Sequence, residues 1–496
     1  MTATTSGSDT GRLTTALDPT LQRMLLEPRW ERAAPWRAEL DRITRVDLAH
    51  VVMLAERGIV RREAAAALLA AVTDLRRRNF GPIEGRPAPR GLYLAYEGYL
   101  IETLGEEVGG LLHTGRSRND LNATCLRIGL REPLAELVLR LIRLELVLLN
   151  RGRRYGESVM PAHTHFQPAV PITYGHYLVG QAGALAREVE ALLSAGDGLA
   201  SCPLGAGAVG GTSIPIDASR TAELLGFAAP VPNSVDAVAA RDLVLRILAA
   251  AATLGVLLSR VATDLLLWST EEFGLLRLPD DLVGSSSMMP QKRNPFVLEH
   301  VRGKASAALG AFVAAATAMR GEPYTNSISV GTEATGHVWD ALSESTEATT
   351  ILVKVLSGTT VNASAMERRA NDGMTAATAI AEEMVRRGVP FRRAHHEVGL
   401  AVRLVLDGAA GSLGEVLADR GHFEAPEDVP DDAARVCAAA DYGGGPGPRS
   451  RAWAVTQARR SATAHRARLN TWTASWRDAD ERLARAVAEI TGTSPV

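Results

Sequence analysis

The residues best suited to chemistry in this 496-residue chain lie in a few polar islands. The first, HTGRSRND from His113 to Asp120, sets Thr114, Arg116, Ser117, Arg118, Asn119 and Asp120 at the mouth of a long helical pattern. An arginine fork matches a carboxylate, and a helix start offers free N–H groups and positive potential. The same residues also read as an elaborate N-cap. The second island, MPAHTHFQPAVPITYGHYL, holds Thr164, His165 and Gln167 between prolines that keep the backbone out of helix. A histidine there can serve as acid or base near neutral pH, or simply as a cap or loop residue. Zinc finds no HExxH pattern and no cysteine cluster. The third is LVGSSSMMPQKRNP, Leu282 to Pro295, a polar loop with Lys292 and Asn294 just before a helix that contains Glu299. A lysine-bearing loop can hold phosphate, but the P-loop spacing is absent.

Two further islands read as structural. PLGAGAVGGTSIPID contains a literal GxGxxG from Gly205 to Gly210, but it follows a helical stretch and SCP rather than a buried strand. Glycines of a tight turn explain it better than a dinucleotide fingerprint. In NSVDAVAARD, Asn233 or Ser234 caps a helix, and Asp236 and Arg241 are candidates for a structural ion pair.

These islands must be positioned by helices. Long Ala/Leu/Val/Arg/Glu runs with only 5% aromatics favour helix over sheet. YGHYLVGQAGALAREVEALLSAG, FVLEHVRGKASAALGAFVAAATAM and GHVWDALSESTEATTILVKVLSG each read as one long helix. So do DLNATCLRIGLREPLAELVLRLIRLELVLLNRGRRYG, with Pro133 as a possible kink, and DAVAARDLVLRILAAAATLGVLLSRVATDLLLWST. The last is greasy enough to suggest a membrane, but Arg241, Asp242, Arg246, Arg260 and Asp264 interrupt it, so a helix buried among helices is expected. The fold class is all-α: a disordered tail (1–15), an N-terminal helical domain (16–112), a long-helix bundle with the polar loop 282–295 (113–365) and a C-terminal helical domain (366–496). The net charge of −2 points to neither nucleic acid nor an anionic membrane as partner. Cys125, Cys202 and Cys437 are odd in number and far apart, and the polar start has no apolar leader, so a cytoplasmic protein without disulfides is expected.

Taken jointly, the islands resemble the fumarase/aspartase superfamily of lyases, most closely its argininosuccinate lyase branch. SSSMMPQKRNP matches the core of the superfamily loop, and HTGRSRND, THFQPAVP, PLGAGAVGGT, NSVDAV, STEEFGLL and VPFRRAHHEVG match branch segments in order, over roughly residues 35 to 450. The resemblance implies a homotetramer whose composite active sites draw on three chains, with no metal or organic cofactor. It implies elimination of fumarate from an N-substituted aspartate, a small-molecule partner. Aligned on MPQK, Ser286 is the implied base, rather than Ser285 or Ser287. His165 is implied in acid catalysis, with Glu299 as its carboxylate partner. Lys292 and Asn294 are implied to grip the substrate carboxylate. Thr164, Ser117 and Asn119 add hydrogen bonds, Arg116 is a further anchor, and Tyr324 joins the substrate-binding set.

The chain departs from the branch in two places. Where the branch carries Glu-Asp-x-His, this chain reads RGLY, with Arg90 and Gly91 in place of the acids. The branch segment whose glutamine and lysine bind substrate reads PYTNSISVGTEATGH here, with no lysine between Lys304 and Lys354, and Leu121 replaces the usual glutamine after TGRSRND. The expectation is retained elimination chemistry with a changed N-substituent, in specialised metabolism. Two alternatives are ordinary argininosuccinate lyase, giving arginine and fumarate, and a non-catalytic structural protein on the same scaffold.

Overall fold

The computed structural model describes residues 36–284, 288–289 and 291–494. The expected tail at 1–15 and the implied base Ser286 lie outside them. Helices α1 (Trp36–Glu56), α2 (Arg62–Arg77) and α3 (Leu92–Leu104) enclose an N-terminal core that includes Leu40, Leu54, Leu68 and Tyr96. The central bundle is α4 (Arg118–Arg154), α5 (Tyr174–Gly196), α6 (Asp242–Trp268), α7 (Phe296–Met319) and α8 (Thr335–Gly358). The fold is all-α, as its sequence pattern indicated. Helix α6 is long and apolar enough to cross a membrane by composition alone. Its buried residues Val244, Ile247, Leu248, Ala251, Leu254, Leu258, Ala262 and Leu265 recur every three or four positions, a stripe packed into the bundle core.

One long-helix reading holds and another needs adjustment. Pro133 sits inside α4 without ending it. In contrast, the run from Asp236 to Trp268 is not one helix. A short helix, Ser234–Ala239, stops where Ala240 turns extended, and α6 begins afresh at Asp242. Arg241 curls its guanidinium onto the carbonyls of Val238 (2.9 Å) and Ala240 (2.7 Å), which satisfies the freed carbonyls. The expected Asp236–Arg241 pair is therefore not formed; Asp236 accepts from the Tyr324 hydroxyl instead.

Beyond the bundle, α9 (Ala363–Asp372), α10 (Ala377–Arg386) and α11 (Phe391–Leu406) lead into a separate small core of Ile380, Met384, Ala394, Val398, Leu417 and Phe423. The closing helix α12 (Pro448–Thr491) does not join it. At 44 residues it is about 66 Å long. Leu469 joins the bundle core, and Leu483, Val487 and Ile490 join the N-terminal core. We propose the boundaries near 112 and 365 as divisions of the chain, with 448–491 assigned to the bundle and the N-terminal unit rather than to the C-terminal one.

The up-and-down bundle has two ends. At one, the start of α4 meets the loop 203–217 and the segment between α7 and α8, through Asn119 to Ala208 and Asn326 to Asn119. At the other, Arg151 near the end of α4 donates to the Thr359 carbonyl after α8, and Tyr177 near the start of α5 bonds Asp264 near the end of α6. There the hairpin β1 (Val159–Thr164) and β2 (Gln167–Thr173) connects α4 to α5. The 24 residues of α7 separate these ends by about 36 Å.

Candidate active site

At the glycine-loop end, the island HTGRSRND is built around two buried charges. Ser117 caps α4: its hydroxyl accepts from the Asn119 N–H at 3.3 Å, and its own N–H donates to Asp120 at 3.0 Å. The same Asp120 carboxylate also accepts from Gly205 (3.0 Å) and Gly207 (2.9 Å). The glycines of the GxGxxG thus hold a carboxylate of the chain itself, not a nucleotide. Gly207 has φ +60, and a Cβ there would lie 2.5 Å from the Gly211 carbonyl oxygen, so the loop needs glycine at this point. Burial pushes the Asp120 carboxyl up against the pull of these N–H donors.

Arg116, expected among the substrate anchors, is turned inward. Its guanidinium meets Asp47 of α1 at 2.5 Å with both side chains at 0% exposure, and it donates to the Tyr93 hydroxyl at 3.3 Å. Burial works against the charge, and Asp47 and Tyr93 more than offset it, so the Arg116 pKa rises. This is a joint between the N-terminal unit and the mouth of α4. Asp47 and His50 escaped the sequence reading, although polar residues in the buried phase of an apolar helix are a signal worth following. His50 donates from Nε2 to the Thr114 carbonyl (2.8 Å), and burial, then Arg116, lowers its pKa to about 3.

The outer rim at this end carries amide and hydroxyl groups beside the Asp236 carboxylate. Asn119 donates to the Ala208 carbonyl (3.0 Å) and accepts from Asn326 (3.1 Å), a residue the sequence reading did not single out. Tyr324 is 65% exposed, with its hydroxyl 2.5 Å from Asp236. Hydrogen bonding to Asp236 pushes its pKa up to about 12.

At the hairpin end, β1 and β2 pair with Thr164 opposite Gln167, leaving His165 and Phe166 as a two-residue turn. Both have positive φ, +52 and +60, the geometry of a type I′ turn, though neither is Gly or Asn. Such backbone strain is maintained only where the surroundings impose it. It lifts His165 into solvent beside Phe166, which is 81% exposed.

The loop 282–295 is closed at its neck by a two-bond bridge between Gly284 and Asn294, at 2.8 and 2.9 Å. Arg293 clamps the neck to Asp280 (2.5 Å) and the Leu278 carbonyl (3.0 Å). Lys292 is exposed beside it, and Glu299 is exposed one turn into α7. Among the described residues, no ion pair joins His165 to Glu299 within the chain. Thr164, His165, Lys292, Asn294 and Glu299 thus share one end, and Ser117, Asn119 and Tyr324 the other.

A family model for lyases matches residues 48–310, and one for the argininosuccinate lyase C-terminal region matches 374–417. Argininosuccinate lyase of Methanothrix thermoacetophila is 39% identical over 371 residues, 74% of each chain. That of Halobacterium salinarum is 37% identical over 435 residues, 86% of this chain and 88% of the relative. The chain belongs to the argininosuccinate lyase family. It is a carbon–nitrogen lyase. An EDDS lyase solved in complex with formate shares its fold at TM-score 0.84, with 29% identity over 96% of this chain and 97% of that one. A class II fumarase from Schistosoma mansoni, at TM-score 0.70 and 16% identity over 82% of this chain and 91% of that one, shares the fold.

Proposed function

We propose that this lyase releases fumarate from an N-substituted aspartate other than argininosuccinate. The observation that carries the changed substrate is the replacement, at the glycine-loop end, of the glutamine and lysine that bind substrate in the family. Counting from Tyr324, Ser329 and Thr332 stand where the family segment has its substrate-binding glutamine and lysine. They lie in a π-helical turn, Ser329–Ala334, that opens α8. The preceding lysine, Lys304, is already held by Glu344 (2.7 Å) and Glu347. Gly91, in place of a family acid, caps α3 with φ +100, a conformation that disfavours any side chain. A guanidinium substituent favours nearby acids, whereas amide and hydroxyl groups suit a neutral or differently charged one.

The chemistry follows from the elimination itself. The proton leaves a carbon next to a carboxylate, and the doubly charged intermediate needs oriented donors and cations. Lys292 and Asn294, at the clamped neck of the loop, supply them, with Ser286 as the base. Thr164 adds a hydroxyl, and His165, partnered by Glu299, protonates the departing nitrogen. Loop closure over substrate excludes water. Fumarate as product is supported by an EDDS lyase variant solved with bound fumarate, at 29% identity and TM-score 0.84.

One chain cannot complete this site. Asn119 and Ser117 stand about the length of α7 away from His165 and Lys292. Helix α7 also exposes Gly303, Ala307, Leu309, Gly310 and Val313, a small and apolar face suited to close helix packing. A homotetramer that covers this face would bring opposite ends of different chains together. The alternative substrate, argininosuccinate, is favoured by the names of the relatives above. Incubation with argininosuccinate and with a panel of N-substituted aspartates, followed by fumarate absorbance, separates the two. Argininosuccinate turnover near a typical enzyme's, about 10 per second, would exclude the changed substrate.

A further inference from the structure

At the hairpin end, a cavity of about 190 Å³ lies between the hairpin, α5 and the end of α6. The elimination chemistry makes no use of it. Tyr177 and Trp268 meet edge to face, ring centroids 4.7 Å apart at 67°. Opposite them, His163 and Phe273 do the same at 6.0 Å and 63°. Within this aromatic lining the acid is Asp264. One of its oxygens accepts from the Tyr177 hydroxyl at 2.8 Å, and the other has no hydrogen bond among the described residues. Arg260, one turn earlier on α6, forms no ion pair with it among those residues. Burial lowers the pKa of His163, with Asp264 opposing, so the imidazole is neutral at physiological pH.

A single carboxylate set in aromatic walls is the chemistry that recognises an organic cation. The size fits a compact one, since a dry cavity of roughly 150 Å³ takes a benzene-sized molecule. We propose that this cavity binds a small organic ammonium ion, its N–H groups on Asp264 and its carbon skeleton against Trp268, Tyr177 and Phe273. His163 lies two residues before His165 on the same hairpin, and Phe166 of the turn also lines the cavity. An occupant therefore holds the hairpin that presents His165. An amine is also the co-product of the elimination proposed above, but ammonium binding to the cavity does not depend on that reading.

The test is a calorimetric titration of the full-length protein with n-butylammonium chloride and, in parallel, with the neutral 1-butanol. The expected result is saturable ammonium binding with a change in tryptophan emission, and binding of butanol weaker by roughly tenfold or more, the size of a hydrogen bond to a charged group. Asp264→Asn should lose the preference for the ammonium while keeping butanol binding. Leu267→Trp, which fills the cavity and leaves Asp264 in place, should lose both ligands. Folded wild-type protein that shows no saturable binding overturns the proposal. So does an Asp264→Asn variant that binds butylammonium as well as wild type does, or a folded Leu267→Trp variant that still binds it.

Discussion

Replacing Arg116 by glutamine separates a structural arginine from a substrate ligand. The guanidinium and the Asp47 carboxylate are 2.5 Å apart with no exposed side-chain surface on either. Removing one member of such a pair leaves the other charge buried and unpaired, a loss of about 3–5 kcal/mol. That is a large part of the roughly 5–15 kcal/mol that separates a folded protein from its unfolded chain. The Tyr93 hydroxyl loses a donor as well. Urea unfolding followed by circular dichroism, at one fixed protein concentration, measures the loss. Steady-state fumarate release measures KM on the protein that remains folded. The expected result is a clear drop in midpoint with KM near wild type. The double variant Asp47→Asn, Arg116→Gln should recover part of the loss, since neighbours in one network couple by about 0.5–3 kcal/mol. An unchanged midpoint with a sharply raised KM would refute the reasoning and return Arg116 to the substrate.

Three more outcomes follow from the site and its frame. Asn119→Ala and His165→Asn lie at opposite ends of the bundle, so each alone should be nearly inactive, by roughly 100-fold or more for the histidine. Oligomers reassembled from a mixture of the two should regain activity, and no recovery on mixing would place the whole site within one chain. Asp120→Ala leaves the Gly205 and Gly207 N–H groups without their acceptor and should cost about 2–6 kcal/mol at about 1–3 for each buried donor, read by thermal or urea unfolding. In the C-terminal unit, hydrogen bonds from Arg420 and then His422 lower the Glu397 pKa from the ordinary 4.5 to about 2. The folded-state pKa is depressed, so the contribution is present above pH 4.5 and is lost as pH falls towards 2. Unfolding of that unit should become easier across this window in wild type, and the window should flatten in Glu397→Gln.

The long helices were legible because their apolar residues keep one phase throughout: α5 and α7 begin and end where the sequence pattern does. The break before α6 was not, because the apolar pattern runs straight through Ala240 and the stop is made by backbone geometry with Arg241 curled over it. The hairpin was read only as non-helical. Its turn is His165–Phe166, two residues that carry none of the usual turn chemistry, so no local signal pointed to it. The glycines at 205–210 were recognised as a turn, but their partner Asp120 lies 85 residues away from Gly205 and could be found only in three dimensions. Arg116 shows the same limit more sharply. Its type and place suggested a carboxylate ligand, and it does bind a carboxylate, that of Asp47 on another helix. Residue type and spacing indicated the chemistry, but long-range packing decided which groups are free to perform it.

Elimination of fumarate from an aspartate whose N-substituent is not the guanidino group is open to direct measurement. The most direct measurement is kcat/KM for fumarate release from argininosuccinate beside a panel of aspartates bearing neutral, acidic and aromatic N-substituents. At least one of these should exceed argininosuccinate, and Ser286→Ala should abolish release from it. Argininosuccinate as the best substrate of the panel would exclude the changed substituent.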